Sequence, residues 1–226
     1  MDRVVISVGG SVLADTATRP SYLRDLSRCL TACTRTARLF VTTGGGPIAR
    51  SHITAGRSLG ISERALDLVG IQATRLNAQL LAAAMRGRSN TEIPTTVEDA
   101  VRMGSRHRLV IMGGTEPGWT TDAVAARLAV AVKASHLVNA TAVDGVYDKD
   151  PKRISTAKRY DRLTYPQLVR LVGRGHRRAG PNIVFDPIAA RLVARHRIPV
   201  FVVDGRHLAN LGRAILGEPF DGTRVG

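Results

Sequence analysis

Short, continuous apolar runs alternate along this chain with longer stretches in which apolar residues recur every three or four positions. Val4–Val8, Leu39–Thr43, Leu109–Met112, His136–Ala140 and Val200–Val203 read as buried strands, most of them ending at glycine or turn-forming residues. Helical spacing fills the gaps. Ser21–Thr36 turns Leu23, Leu26 and Leu30 inward, and a helix with Ile48, Ala49, Ile53 and Ala55 follows Gly46. Ser62 and Glu63 open a long helix reaching Met85, with Leu66, Val69, Ala73, Leu76 and Leu80 as its apolar stripe. Thr95–Met103, Ala123–Val132, Pro187–Arg197 and Leu208–Leu216 are further helices, and Thr164 caps another reaching about Val172. Thr141–Pro151 and Gly173–Gly180 read as loops, and GEPFDGTRV ends in a short edge strand. The alternation predicts an α/β fold, a mainly parallel sheet with helices on both faces.

In such sheets ligands bind beyond the carboxyl ends of the strands. Three glycine-rich turns fall at those ends, starting at Gly9, Gly44 and Gly113. Backbone amides there can cradle phosphate, although neither of the first two turns matches the P-loop or the dinucleotide fingerprint. In GGGPIAR, Pro47 suits a first helical turn, and Arg50 lies one turn in, where its guanidinium could clamp a phosphate or stand in solvent. The stretch LVIMGGTEPGWTTDAVAA, from Leu109 to Ala126, runs from strand to helix through Gly113–Gly114 and Pro117–Gly118. Thr120, Thr121 and Asp122 are each able to cap that helix, and its first amides favour an anion. The loop is built to hold a small polar ligand or is an ordinary capped connection.

Asp67 sits among Leu66, Leu68 and Val69, so its carboxylate needs Arg64, Arg75 or a ligand hydroxyl as partner. Asp144, Asp148 and Asp150 lack the order of a calcium loop, and Asp186 is at least a helix N-cap. Cys29 and Cys33 lie four apart on one helical face and read as buried small side chains; no zinc set accompanies them.

The 226 residues suffice for one sizeable core, and 44% are apolar with only 4% aromatic. No apolar run reaches the roughly 20 residues of a membrane helix, and the first residues enter a strand without a signal-peptide pattern, so a cytoplasmic protein is expected. The net charge is +15, and 33 basic residues, only four of them lysine, are spread along the chain with clusters at Arg102–Arg108 and Arg174–Arg178. That balance favours anionic partners. Few aromatics and no nucleic-acid motif make nucleotides and phosphates better candidates than nucleic acid.

Taken together and in order, six motifs resemble the uridylate (UMP) kinases of the archaeal type, in the amino acid kinase superfamily. They are GGS at Gly9, GGGPIAR at Gly44, ALDLVGIQATRLNAQLL at Ala65, MGGTEPGWTTDAVAA at Met112, NATAVDGVYDKDP at Asn139 and AGPNIVFDPIAA at Ala179. The resemblance runs from Val4 to Thr223. It implies a three-layer αβα sandwich, phosphoryl transfer from ATP to UMP with Mg²⁺ in pyrimidine nucleotide synthesis, and a homohexamer. It also implies one domain over 1–226, with the UMP side and oligomer contacts in about 1–135 and the ATP side in about 136–226. By position, Gly45, Asp67 and Thr115, Glu116, Pro117, Gly118, Trp119, Thr120 and Thr121 would hold UMP, with Asp67 on the ribose hydroxyls. Ser7, Gly9, Gly10, Ser11, Gly46 and Arg50 would face the ATP phosphates, and Thr141, Tyr147 and Asp150 the adenosine. Asp122, Asp186 and Arg50 would carry the catalytic work, with no direct protein ligand to the metal. The chain departs from the superfamily pattern at Ser7, where many members have lysine, and at Ala142, where asparagine is usual. Trp119 would stack on the base or cover the loop. The alternatives are another small-molecule kinase of this fold, a non-catalytic nucleotide- or oxyanion-binding relative and, on net charge alone, a nucleic-acid-binding protein.

Overall fold

The computed structural model describes residues 1–13, 20–151, 153–175 and 185–226. The elements are β1 (Asp2–Val8), α1 (Gly10–Leu13), α2 (Pro20–Cys33), β2 (Ala37–Thr43), α3 (Gly46–Ser58), α4 (Glu63–Ala84), α5 (Val97–Met103), β3 (Leu109–Met112) and α6 (Thr121–Ala131). There follow β4 (His136–Thr141), β5 (Val146–Tyr147), β6 (Arg159–Tyr160), β7 (Arg162–Leu163), α7 (Tyr165–Gly175), α8 (Pro187–His196), β8 (Val200–Asp204), α9 (Leu208–Leu216) and β9 (Thr223–Val225).

Seven strands form one sheet in the order β3-β2-β1-β4-β8-β9-β7, and β5 pairs with β6 as a separate hairpin. All neighbours in the large sheet are parallel except β8 and β9. The chain adds β2 and β3 on one side of β1, then crosses to place β4 on the other. That reversal opens a crevice at the carboxyl ends of β1 and β4.

Alternation along each strand divides the core in two. Val4, Ile6 and Val8 join Leu26 and Leu30 of α2, Leu81 of α4 and Leu211 of α9 on one face. Val5 lies on the other face with Val124 and Leu128 of α6 and Ala189 and Val193 of α8. The αβα sandwich is thus present. At the β3 edge, the buried Asn90 amide accepts from Ile111 N at 2.7 Å and donates to Ile111 O at 2.9 Å, acting as one residue of an eighth strand. Asn90→Ala leaves both groups without partners and is expected to destabilise the fold by about 2–3 kcal/mol, read as a lower chemical denaturation midpoint.

Several expectations need correction. β9 is not an edge strand, because β7 pairs outside it. The two-residue strands β5, β6 and β7 are too short to show a period. Helix α7 runs past Val172 to Gly175, so the expected loop begins later; residues 176–184, including most of the 174–178 arginine cluster and the start of the AGPNIVFDPIAA motif, lie outside the described residues. The α4 stripe is divided: Leu66 and Ala73 are buried, while Val69, Leu76 and Leu80 face outward with Leu68. The inward face is completed by Ile71, Ala78, Leu81 and Ala82.

Candidate active site

The turns after β1 and β2 interlock backbone against backbone. A Cβ on Gly10 would lie 2.0 Å from Gly46 N, and one on Gly44 would lie 2.4 Å from Gly10 N. Gly46 adopts φ +61°, open to glycine at little cost. Gly44 N donates to Val8 O at 2.9 Å, Gly9 N to Ala140 O at 2.8 Å, and Asn77 of α4 holds Gly44 O at 2.7 Å. Gly9, Gly10, Ser11, Gly45 and Gly46 are therefore brought together around the N-termini of α1 and α3. Arg50 is exposed on α3 and forms no ion pair among the described residues.

The same alternation that buries Val5 under α6 turns Ser7 towards that helix. Ser7 Oγ donates to Asp122 Oδ1 at 2.7 Å. Burial pushes the Asp122 carboxyl up to about 6, and the negative charge of Asp186 adds to the rise; the Ser7 hydroxyl and the Asp186 backbone N–H work against it. Asp186 itself is the N-cap of α8, accepting from Ile188 N at 2.7 Å and Ala189 N at 2.9 Å. Among Thr120, Thr121 and Asp122, it is Thr120 that caps α6, through Ala123 N at 3.2 Å. Asp122 is left aimed at the sheet.

Residues 113–119 form a loop beside this carboxylate, fixed from α4. Thr74 Oγ1 accepts from Gly114 N at 2.6 Å, and Arg75 donates to Gly114 O at 3.1 Å and Thr115 O at 3.2 Å. Asp67 Oδ2 accepts from Gly118 N at 2.8 Å, where Gly118 has φ +85°. Asp67 is exposed rather than set in an apolar face, and it pairs with neither Arg64 nor Arg75 among the described residues. The Thr115 hydroxyl is buried without a partner among the described residues, a group that calls for a ligand or solvent acceptor. The Arg127 guanidinium lies 5.4 Å from the Trp119 ring centroid, so that ring is covered and only part-exposed.

On the far side of the crevice, β4 and β8 end side by side, Thr141 beside Asp204. Arg206 forks onto Asp204 at 2.6 Å and reaches Ala142 O at 3.1 Å. Tyr147 donates to Asp144 Oδ1 at 2.8 Å; Asp144 Oδ2 takes Arg159, which also binds Asp221 at 2.6 Å. Asp150 lies at the start of a turn, its carbonyl accepting from Ile154 N and its carboxylate 3.7 Å from Arg153.

The sequence profile of the amino acid kinase family matches residues 2–204. The chain belongs to the amino acid kinase family. Within that family, the uridylate kinase of Thermoplasma acidophilum is 43% identical over 217 residues, 96% of this chain and 93% of that protein. The uridylate kinase of Archaeoglobus fulgidus is 42% identical over 216 residues, 96% of each chain. The crystal structure of uridylate kinase from A. fulgidus superposes with a TM-score of 0.90 at 41% identity, covering both chains fully. The UMP kinase structure from Bacillus anthracis, at 23% identity and TM-score 0.79, shares the fold.

In this member of the family, several residues that brace the turns and loops described above escape sequence reasoning. Thr74, Arg75 and Asn77 stand in a segment picked out for its apolar spacing, yet their polar ends hold two glycine turns. Their signal is a polar cluster inside an apolar helix, Thr74 and Asn77 three apart with Arg75 between them. Arg206 follows the turn after a strand that ends at Asp204, where an acidic residue and a glycine at a strand end are its signal. Arg127 and Arg159 had none, because contacts 11 to 62 residues away leave no trace in local pattern.

Proposed function

We propose that this kinase transfers the γ-phosphoryl group of ATP to UMP, giving UDP and ADP. The observation that carries the reading is the clustering of backbone turns at one end of the sheet. Interlocked glycine turns at the tips of β1 and β2 lie at the same end as the loop after β3, whose buried Thr115 hydroxyl lacks a partner among the described residues. The uridylate kinases named above, alike over almost the whole length, support UMP as the acceptor.

Phosphoryl transfer asks for in-line placement and for neutralised charge, with little covalent work by the protein. The amides of Gly9, Gly10 and Gly46, Ser11 and Arg50 would take the ATP phosphates, with Thr141, Tyr147 and Asp150 towards the adenosine. Gly45 and residues 115–121 would hold UMP, and Asp67 would receive the ribose hydroxyls on the oxygen that Gly118 does not use. Apart from those phosphate-facing residues, the part up to about 135 would form the UMP side and the part from about 136 the ATP side of one domain.

Mg²⁺ fits the donor set. Hydrated magnesium is commonly held through one or two carboxylates and substrate phosphates. Asp122 is a part-buried carboxyl whose raised proton affinity a cation would offset, while Asp186 spends Oδ1 on its helix cap. Bound Mg²⁺ would neutralise charge on the transferring group. Asp122 would orient it through its shell, with Ser7 fixing Asp122.

No helix of the described residues is long and apolar enough to cross a membrane. A cytoplasmic role in pyrimidine nucleotide synthesis follows from the proposed reaction. The outward Leu68, Val69, Leu76 and Leu80 of α4 support self-association, and a homohexamer is the proposed assembly, to be checked by sedimentation.

The direct test is ADP formation by purified protein with Mg-ATP and UMP, CMP, dUMP, acetylglutamate or isopentenyl phosphate. UMP is expected to be used far faster than the rest; equal turnover, or none, rejects the assignment. Asp67→Ala should raise KM for UMP by about tenfold or more and leave KM for ATP unchanged. A matching loss of ATP affinity would move Asp67 away from the acceptor.

A further inference from the structure

We propose that Arg127, outside every residue set assigned above, is the positioning residue that locks the acceptor loop to the helix carrying Asp122. The inference rests on the reading of residues 115–121 as the UMP loop. Its geometry is independent of that reading.

Arg127 stands on α6, five residues after Asp122. One guanidinium meets three partners: Glu116 Oε1 at 2.8 Å, Glu98 Oε1 at 3.4 Å and the Trp119 ring at 5.4 Å. Glu116 and Trp119 both belong to the loop, and Glu98 belongs to α5, which packs beside α6. Each contact alone is weak, since the carboxylates are exposed and such pairs contribute little. Together they fix the loop at two points against one side chain, and a planar cation is suited to a fork and a ring face at once.

The other loop anchors, Arg75, Thr74 and Asp67, all come from α4. Without Arg127, the polar side-chain anchors of the 116–119 segment would come from α4 alone. Its position relative to Asp122 would then rest on the Thr120 cap and on the apolar packing of the Trp119 ring against the core beneath. With Arg127, the loop that holds the acceptor and the carboxylate that organises the transfer move as one body. Trp119 accordingly serves as the covered side of the strap rather than as a free platform for the base.

The chain has one tryptophan, so its fluorescence reports this loop directly. In Arg127→Ala, acrylamide quenching of Trp119 in the ligand-free protein is expected to rise severalfold. KM for UMP should rise about tenfold, with KM for ATP unchanged and the melting temperature within about 2 °C of wild type. Arg127→Lys keeps the charge facing Glu116 but loses the flat face over the indole. It should recover part of the UMP affinity while quenching stays high. Unchanged quenching in Arg127→Ala overturns the strap whatever the enzyme's substrate. Raised quenching with equal losses for UMP and ATP overturns the positioning role while leaving the contacts standing. If wild type does not use UMP, the quenching result still decides the strap, and the substrate reading alone fails.

Discussion

Asp122→Asn is expected to give a protein that is harder to unfold at neutral pH and turns over about a hundredfold more slowly or worse. Both effects have the same origin. The Asp122 carboxyl titrates near 6 in the folded protein, chiefly because burial opposes its charge, against 3.8 in the unfolded chain. Between those values the folded state binds more protons, so stability falls as pH rises through the window. Above it the ionised carboxylate destabilises the fold by about 3 kcal/mol, taking 1.36 kcal/mol per unit. Asparagine removes that burden and still accepts from Ser7, although the Asp186 N–H has a poorer acceptor. Scanning calorimetry should show Asp122→Asn melting several degrees above wild type at pH 7.5. The gap should close as pH is lowered towards 4, where the wild-type carboxyl is protonated too. A variant less stable at both pH values would mean that the Ser7 and Asp186 contacts outweigh desolvation, and the reading of Asp122 as a strained, cation-seeking group would fall.

The same residue shows what local pattern reveals. A strand of four apolar residues, two glycines and a cluster of Thr120, Thr121 and Asp122 before an alanine-rich run marked a site by strand period and cap chemistry alone. Asp186 was legible as a cap for the same reason, and both roles appear. The sheet followed from glycine-terminated apolar runs, because a strand buried on both faces must be continuously apolar. What failed was the facing of α4. Leucines at helical spacing fit either side, and small residues such as Ala78 and Ala82 let that helix sit close to the sheet with Leu76 and Leu80 outside. For Asp67, local pattern offers only near neighbours, Arg64 and Arg75, as possible partners beside a ligand hydroxyl; the structure pairs neither arginine with Asp67 among the described residues. Asp67 and Arg75 have distant partners. Each reaches the 113–119 loop, Arg75 some 40 and Asp67 51 residues away. The β5–β6 hairpin was illegible since two residues carry no period.

Gly10→Ala is expected to be the most disruptive single methyl in the molecule, and a short series separates its cause from ordinary glycine effects. The added carbon would meet Gly46 N at 2.0 Å, Gly46 Cα at 2.5 Å and Gly44 C at 2.7 Å, all main-chain atoms that no rotamer change can move. Relief requires the β1 and β2 turns to part, which opens the crevice proposed above to hold the nucleotides. A loss of about 4 kcal/mol or more is expected, about 10 °C in melting temperature, together with loss of ATP binding. Gly60→Ala is the first control. That residue has φ +73° and nothing within 4 Å of its Cβ position, so only backbone strain remains, about 1 kcal/mol with binding intact. Gly173→Ala is the second. It lies within α7, also with open space around it, and removing glycine from a helix should stabilise by about 0.5–1 kcal/mol. The order Gly173→Ala, wild type, Gly60→Ala, Gly10→Ala in falling stability is therefore required if backbone contact between the two turns builds the crevice. A Gly10→Ala protein as stable as the Gly60→Ala variant, and still binding ATP, would show that the turns stand apart.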